Sequence, residues 1–336
     1  MKGFLDTPAG RVPQIKTRLE LPDRVGWALT RLGIGRFRYR VAPGLYAVGL
    51  PGPDSPVLVT ANYKLTFDSL RKELAGLDAW VLVLDTRGVN VWCAAGKKTF
   101  GSGELTARIR AVRLEEVVAH RMVIVPQLGA PGVAAHEVKQ ASGFRVVFGP
   151  VRASDLPAFL EAGMKAGPGM RLVHSTPWER HVVGLVEFSN ERRTMAVLAG
   201  ALFLLAWAGL DGFSLARAWR GLWTGFSAYA LGFAGGNLLT PPALALLPGR
   251  SFSGKGAQAG ALAGLAVLAL GQSALATAGM WLGAVVAGSW YGMNFTGSST
   301  FTSPSGVEKE MRRAIPLQAA GLLLSVIFWR LGIGGS

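Results

Sequence analysis

The 336-residue sequence holds one cysteine, Cys93. A single thiol makes no internal disulfide and cannot supply the four protein ligands that an iron–sulfur cluster generally takes. Histidine is scarce too. His120, His136, His174 and His181 lack the clustered Cys/His spacing of a structural zinc site. Metal chemistry in this chain therefore calls for a cofactor that brings most of its own ligands. Charge is thin: 16% of residues are charged and half are hydrophobic, which argues against a disordered chain and against a wholly soluble enzyme. The shortage is local. Residues 1–193 hold 27 Lys/Arg and 17 Asp/Glu, leaving 8 and 3 for residues 194–336. The first residues, MKGFLDTPAGR, lack the apolar core of a signal peptide, so the polar region is expected in the cytoplasm.

The charge-poor region predicts membrane spans, each needing about 20 mostly apolar residues. Uncharged runs place five of them near 194–210, 221–240, 257–272, 274–294 and 314–331, the last run being uncharged over Ala314–Trp329 and reaching Arg330 at its end. The 52 residues from Gly256 to Val307 carry no charge and fit two spans rather than one. Arg192, Arg193, Arg250, Lys255, Lys309, Arg312 and Arg313 then lie inside, against Arg217, Arg220 and Arg330 outside. That bias favours an N-terminus facing the cytoplasm, in a multi-pass inner-membrane protein. Runs such as Ala259-Gly260-Ala261-Leu262-Ala263-Gly264 let membrane helices pack closely. Ionisable residues are essentially absent from the spans, which favours an anchor over a transport pathway. The net charge of +15 is accounted for by residues facing anionic lipid. The most basic stretch, RLGIGRFRYR at 31–40, has no nucleic-acid recognition module beside it, so no nucleic-acid partner is expected.

The polar region alternates strand-like and helix-like segments. Pro56–Thr60, Ala79–Leu84, Met122–Val125 and Phe144–Phe148 read as strands and Phe67–Leu77 as a helix. Continuous aliphatic runs between helices predict a Rossmann-like α/β domain with a mainly parallel sheet over residues 1–190, followed by an all-α domain over 191–336. Ligands of such folds sit beyond the carboxyl ends of the strands. That directs attention to 60–63, 85–98, 126–131 and 149–152. Gly33-Ile34-Gly35 lacks the third glycine of a dinucleotide fingerprint. Neither a Walker loop, nor Gly-x-Ser-x-Gly, nor the Asp-x-His-x-x-Gly signature of one class of cobalamin domains occurs.

The segment after Ala79–Leu84 is the most informative. Asn90 is a natural N-cap for a short helix over about 90–98, with Cys93 in its first turn. Ala94, Ala95 and Gly96 leave room for a large flat ligand. A lone cysteine is otherwise usually a small core residue.

The run Asn90-Val91-Trp92-Cys93-Ala94-Ala95-Gly96-Lys97 resembles the signature of the mercury-methylating corrinoid protein family (HgcA). Similar segments are Val57–Thr66, Gln127–Ala130 with His136-Glu137-Val138, Gly149–Ala153 with Asp155, and Asn294–Ser303. That family's ring-binding domain is similar to that of the corrinoid iron–sulfur protein of the acetyl-CoA pathway. The resemblance implies a bound corrinoid of the cobalamin type. It makes Cys93 the catalytic residue and, as a thiolate, the lower axial cobalt ligand. Corrin contacts would come from Thr60, Thr66, Asn90, Val91, Trp92, Cys93, Ala94, Ala95, Gly96, Lys97, Gly129, Ala130, Gly149, Pro150 and Val151. His136 is a further candidate, with a structural hydrogen bond as its alternative role. The implied reaction is methyl transfer to Hg(II), giving methylmercury. Thiolate donation would favour release of the methyl with its bonding electrons. The implied partners are a ferredoxin-like protein with two four-iron–four-sulfur clusters (HgcB) as electron donor, and a methyl donor protein or methyltetrahydrofolate-linked methyltransferase. Two alternatives stand beside this reading: a corrinoid methyl carrier for another metal, metalloid or thiol, and a non-catalytic membrane ligand-binding protein.

Overall fold

Aliphatic runs without charge have no low-energy place in water, and the two longest form the centre of a sheet. In the computed structural model, which describes residues 2–209, 212–296 and 304–334, every residue of Val57–Ala61 and Ala79–Leu84 is buried. The chain divides into two compact units, one of Met1–Thr30 with Ile34–Val173, the other of Arg31–Gly33 with His174–Ser336. Residues 174–190, expected in the first domain, fall in the second unit. The reason is polar: α8 (Pro177–Gly184) bonds to the bundle, Arg180 Nε donating to the Pro241 carbonyl at 2.7 Å and His181 Nδ1 lying 3.0 Å from the Leu238 carbonyl. The drop in charge near residue 190 does not mark the packing boundary.

The first unit contains β1 (Gly3–Thr7), β2 (Gly10–Gln14), α1 (Leu21–Arg31), β3 (Gly44–Val48), β4 (Val57–Ala61), α2 (Lys64–Arg71), β5 (Ala79–Leu84), α3 (Val91–Gly96), α4 (Ser102–Ala111), α5 (Leu114–Val117), β6 (Met122–Val125), α6 (Ala135–Ser142), β7 (Arg145–Phe148) and α7 (Leu156–Glu161). The sheet order is β1-β2-β3-β5-β4-β6-β7. Strands β5, β4, β6 and β7 are mutually parallel, whereas β3 runs antiparallel to β5 and β1 antiparallel to β2. The sheet is therefore mixed, with a parallel core. Its antiparallel edge had no clear signal in the sequence.

Alternation along the strands feeds two cores. Val57, Val59, Trp80, Leu82 and Leu84 share one with residues of α3 to α6, including Ala94, Leu105, Leu114 and Val138. Leu58, Val81, Val83 and Ile124 face the other, with Phe67 and Leu70 of α2 and Phe159 of α7. Helices thus cover both faces, as a parallel sheet requires.

In the second unit α9 (Glu187–Asn190) leads into α10 (Arg192–Trp207), α11 (Leu215–Phe233), α12 (Phe252–Gly264), α13 (Ala274–Thr296) and α14 (Pro304–Gly334). A π turn over Ala234–Leu239 extends α11, and a 3-10 turn over Leu265–Leu270 extends α12. Helices therefore occupy the five regions read as spans. By length and composition, one described helix segment, Ser305–Ile333, is long and apolar enough to cross a membrane. The sixteen residues of α10 reach only about 24 Å, and α11 and α13 dilute their Leu and Val with Gly, Ala and Trp. Close packing organises the bundle. A Cβ built on Gly256 would collide with the Gly288 carbonyl, and one on Gly260 with the Ala284 carbonyl. Of the segment Asn294–Ser303, residues 297–303 lie outside the described residues.

Candidate functional site

From β4 the chain passes to β5 on one side and then to β6 on the other. Such a reversal opens a crevice beyond the carboxyl ends of the strands. Here Leu58–Thr60 of β4, Ile124 with Pro126 and Leu128 after β6, and Gly149–Ala153 after β7 form its walls. Thr66, Ser69 and Leu70 of α2, Leu156 of α7 and Asn90–Trp92 complete a cavity of about 300 Å³.

Among the residues selected from the sequence, Thr60, Thr66, Asn90, Val91, Trp92, Gly149, Pro150 and Val151 line this cavity. The others do not. Ala94 and Ala95 are buried in the core behind α3, because the helical period places them beside Val91. Gly96 and Lys97 are exposed at the far end of that helix. Gly129 and Ala130 lie in a tight turn, with the Gly129 N–H donating to the Pro126 carbonyl and the Ala130 N–H to that of Gln127. A Cβ on Gly129 would meet the Phe100 ring at 2.5 Å, so this turn supports α3 instead of facing the cavity. His136 is exposed on α6, two residues and more than half a turn from the buried Val138.

Cys93 is exposed and follows directly on the three cavity-lining residues of the α3 entry. Asn90 caps that helix: its Oδ1 accepts from the Cys93 N–H at 2.8 Å. Among the described residues no three His, Cys, Asp or Glu side chains gather as a metal cluster. The thiol is thus a lone protein donor.

The loop leading to α3 is fixed by a residue absent from the sequence selection. Asn62 is buried at the end of β4. Its Oδ1 accepts from the N–H groups of Thr86 (3.1 Å) and Gly88 (2.9 Å), and its Nδ2 donates to Asp85 Oδ1 at 3.0 Å. The Thr86 hydroxyl lies 2.6 Å from the Val89 carbonyl. Gly88 has φ +76°, and a Cβ there would meet the Phe37 carbonyl at 3.0 Å. A conformation that glycine adopts without strain is thereby built into the approach to Asn90. Ser69, Leu128 and Arg152 also reach the cavity without having been selected.

Helix α2, which carries Thr66, Ser69 and Leu70, is held by ion pairs. Lys64 Nζ lies 2.6 Å from Asp23 and 2.7 Å from Asp68. Arg71 meets Asp23 at 2.8 Å and Asp68 at 2.7 Å. Trp27 Nε1 donates to Asp68 at 3.1 Å. Burial opposes ionisation of Asp23, but hydrogen bonds from Lys64, the Glu20 N–H and Arg71 outweigh it and hold the carboxyl well below its usual range. Burial likewise opposes the charge on Lys64, yet Asp23 and Asp68 raise its pKa overall.

Fold and site together define an α/β domain with a cavity at its topological switch point. Comparison with known proteins is more particular. Residues 35–160, which include every residue lining the cavity, match the family described as CO dehydrogenase/acetyl-CoA synthase delta subunit. The chain is similar to the gamma subunit of the acetyl-CoA decarbonylase/synthase complex of Methanopyrus kandleri, 37% identical over 123 residues, covering 36% of this chain and 26% of that protein. It is similar to the corrinoid/iron-sulfur protein large subunit of Moorella thermoacetica, 31% identical over 127 residues, or 37% and 28% of the two chains. The Archaeoglobus fulgidus gamma subunit is 33% identical over 124 residues, 36% of this chain and 26% of its own. The chain spans about a quarter of the length of these relatives. The similarity thus lies within its first unit.

Proposed function

We propose that the first unit binds a corrinoid at the switch-point cavity, with Cys93 as lower axial cobalt ligand, and that the chain transfers a methyl group to Hg(II). One observation carries the reading. The exposed Cys93 thiol follows the cavity-lining Asn90–Trp92, within the segment similar to the corrinoid/iron-sulfur protein. The residues present fit such a ring: the walls are mainly apolar, with Leu58, Leu70, Ile124, Leu128, Leu156 and the buried Gly149-Pro150 pair, and the chain offers one cysteine beside them. A bound corrinoid supplies a cobalt centre that carries a methyl group, with four ligands from the ring itself.

The chain's own residues then position and shelter that centre. Asn90 fixes the first turn of α3 and so the thiol. Asn62 fixes the loop that delivers Asn90. Leu58, Ile124 and Leu156 keep water from one side of the cavity. Hg(II) is substrate. The ferredoxin-like electron donor and the methyl-donating protein are part of the proposal, since the chain carries neither cluster ligands nor a recognisable pterin site.

The second unit is proposed as a five-helix anchor in the inner membrane, with the first unit in the cytoplasm. Many of its large side chains face outward: Val197, Leu204, Trp219, Trp223, Leu262, Leu268, Leu317 and Leu323 are all exposed. Small residues fill the helix contacts, as expected where lipid replaces water.

The test uses the full chain, purified and incubated with cobalamin. Expected are stoichiometric cobalt and an absorption spectrum that changes in Cys93→Ala and partly recovers in Cys93→His. A cobalt-free protein overturns corrinoid binding, and a spectrum indifferent to Cys93 overturns the ligand. With methyl donor, reductant and Hg(II), methylmercury is the expected product. Cobalt binding without methylmercury would leave a methyl carrier for another acceptor.

A further inference from the structure

Helix α1 is amphipathic the wrong way round for a protein bathed only in water. Asp23, Trp27 and Thr30 point inward: Asp23 joins the ion pairs with Lys64 and Arg71, Trp27 donates to the buried Asp68, and Thr30 is 2% exposed. Its apolar residues Leu21, Val25 and Leu29 recur every fourth position and are exposed, Leu21 by 74%. In the turn that follows, Ile34 and Phe37 continue the strip, Phe37 being 75% exposed. An open groove of about 580 Å³ runs among Leu21, Val25, Leu29 and Ile34. The same stretch is one-sided in charge. Arg24, Arg38 and Arg40 are exposed, and no acidic residue occurs between Asp23 and Asp54.

We propose that α1 and the turn after it lie in the interface of an anionic phospholipid bilayer. The apolar strip enters the acyl boundary and the arginines meet lipid phosphates. Interfacial helices combine such a strip with basic neighbours, and each basic residue near an anionic surface strengthens binding roughly fivefold. The buried ion pairs make this possible, since they satisfy the polar side of the helix internally and free its apolar side for lipid. An acidic protein or RNA would match the arginines but would leave the exposed Leu21–Phe37 strip in water. The proposal rests on the membrane-anchor reading of the second unit, and its test separates the two.

Nitroxide labels are placed one at a time at Leu29→Cys, Phe37→Cys and Leu323→Cys of the full chain, each with Cys93→Ser. The protein is reconstituted in nanodiscs of phosphatidylcholine with or without phosphatidylglycerol. Collisions with oxygen and with a water-soluble nickel complex report depth. The expected result is a lipid-like ratio at Leu323 in both lipids, and at Leu29 and Phe37 a shift toward lipid when phosphatidylglycerol is present. Arg24→Glu with Arg38→Glu should abolish that shift and leave Leu323 unchanged. Water-like labels at Leu29 and Phe37 beside a lipid-like Leu323 overturn the proposal alone. A water-like Leu323 overturns the anchor as well. Labels protected by added RNA or an acidic protein, and not by lipid, overturn it in favour of those partners.

Discussion

In the α/β unit the interior is filled by large side chains: Phe100, Phe144, Phe159, Leu58, Leu82 and Leu84 have almost no exposed surface. In the helical unit the closest approaches are made by glycine and alanine, and Leu246, Leu262, Leu268, Leu317 and Leu323 face outward. The polar chemistry is inverted too. The first unit buries an ion network between α1 and α2, whereas the second joins its helices through side chains such as Trp329 Nε1 on Thr224 (3.0 Å) and Gln318 Nε2 on Ser289 (2.9 Å). Burial of apolar area drives folding only when the alternative is water. The bundle also buries Met280, Tyr291, Trp329 and Ile333, but its closest helix contacts, made by glycine and alanine, gain from close backbone packing. The two units are thus packed in different ways, and the contrast can be broken from either side.

The largest effect is expected from the ion network. Asp68 is fully buried and meets Lys64, Arg71 and Trp27. Removing one partner of a buried ion pair typically costs about 3–5 kcal/mol. Asp68→Ala should therefore accelerate amide exchange in β4 and α2 and leave α12 and α13 of the same molecule unchanged. Equal loss in both units would show that they do not unfold separately. The pH dependence follows from Asp23 and Lys64. The folded-state pKa of Asp23 lies below its unfolded value, so its contribution is full above roughly pH 4 and declines as the pH falls further. That of Lys64 is raised, so its contribution holds until the pH climbs past about 10.4 and is lost as the pH rises through the folded value. Urea midpoints of the first unit should form a plateau between these limits, and Asp23→Asn should flatten the acid side.

The matching break in the bundle is Gly288→Val. A Cβ at this position would meet the Gly260 Cα at 2.7 Å and the Gly256 carbonyl at 2.5 Å, both backbone. Overpacking usually costs about 1–3 kcal/mol, and more where the neighbour cannot yield. Exchange should rise in α12 and α13 and stay unchanged in β4 and β5. A tolerated valine would mean that the glycine contacts are looser than their spacing implies.

What the sequence could disclose follows the same divide. Ala79–Leu84 and Met122–Val125 were legible to the residue because strands buried on both faces are unbroken aliphatic runs. The edge strand GFLDT and its neighbour GRVPQ carry Gly, Pro and charge and are partly exposed, so no run marks them. Thr60 and Gly149 could be chosen as strand-end residues and Asn90 as a helix cap, and the cavity gathers them. Gly129 and Ala130 fit the same rule but fold beneath α3. Asn62 lies in the 60–63 stretch to which the strand end points, but its role could not be read there, for a topological reason. Its partners Thr86 and Gly88 lie more than twenty residues away, and only the pairing of β4 with β5 brings the two strand ends together. An Asn just after one buried strand and a Thr just after the next was the available signal.

The smaller effects probe the site itself. Asn62→Ala leaves the buried N–H groups of Thr86 and Gly88 without their acceptor, a penalty of about 1–3 kcal/mol for each group left unpaired. Corrinoid affinity should fall with it, because the 85–88 loop sets the start of α3. Asn90→Ala removes one cap bond to the Cys93 N–H and should cost about 1 kcal/mol. Asn90→Ser and Asn90→Asp restore an acceptor and should recover most of that stability. If Asn90 serves only as a cap, both variants should also restore the spectrum of the corrinoid-loaded protein. If the Asn90 side chain touches the ring as well, stability will return without the spectrum. That split, read on one side chain, separates what the α/β unit needs in order to fold from what it needs in order to hold its ligand.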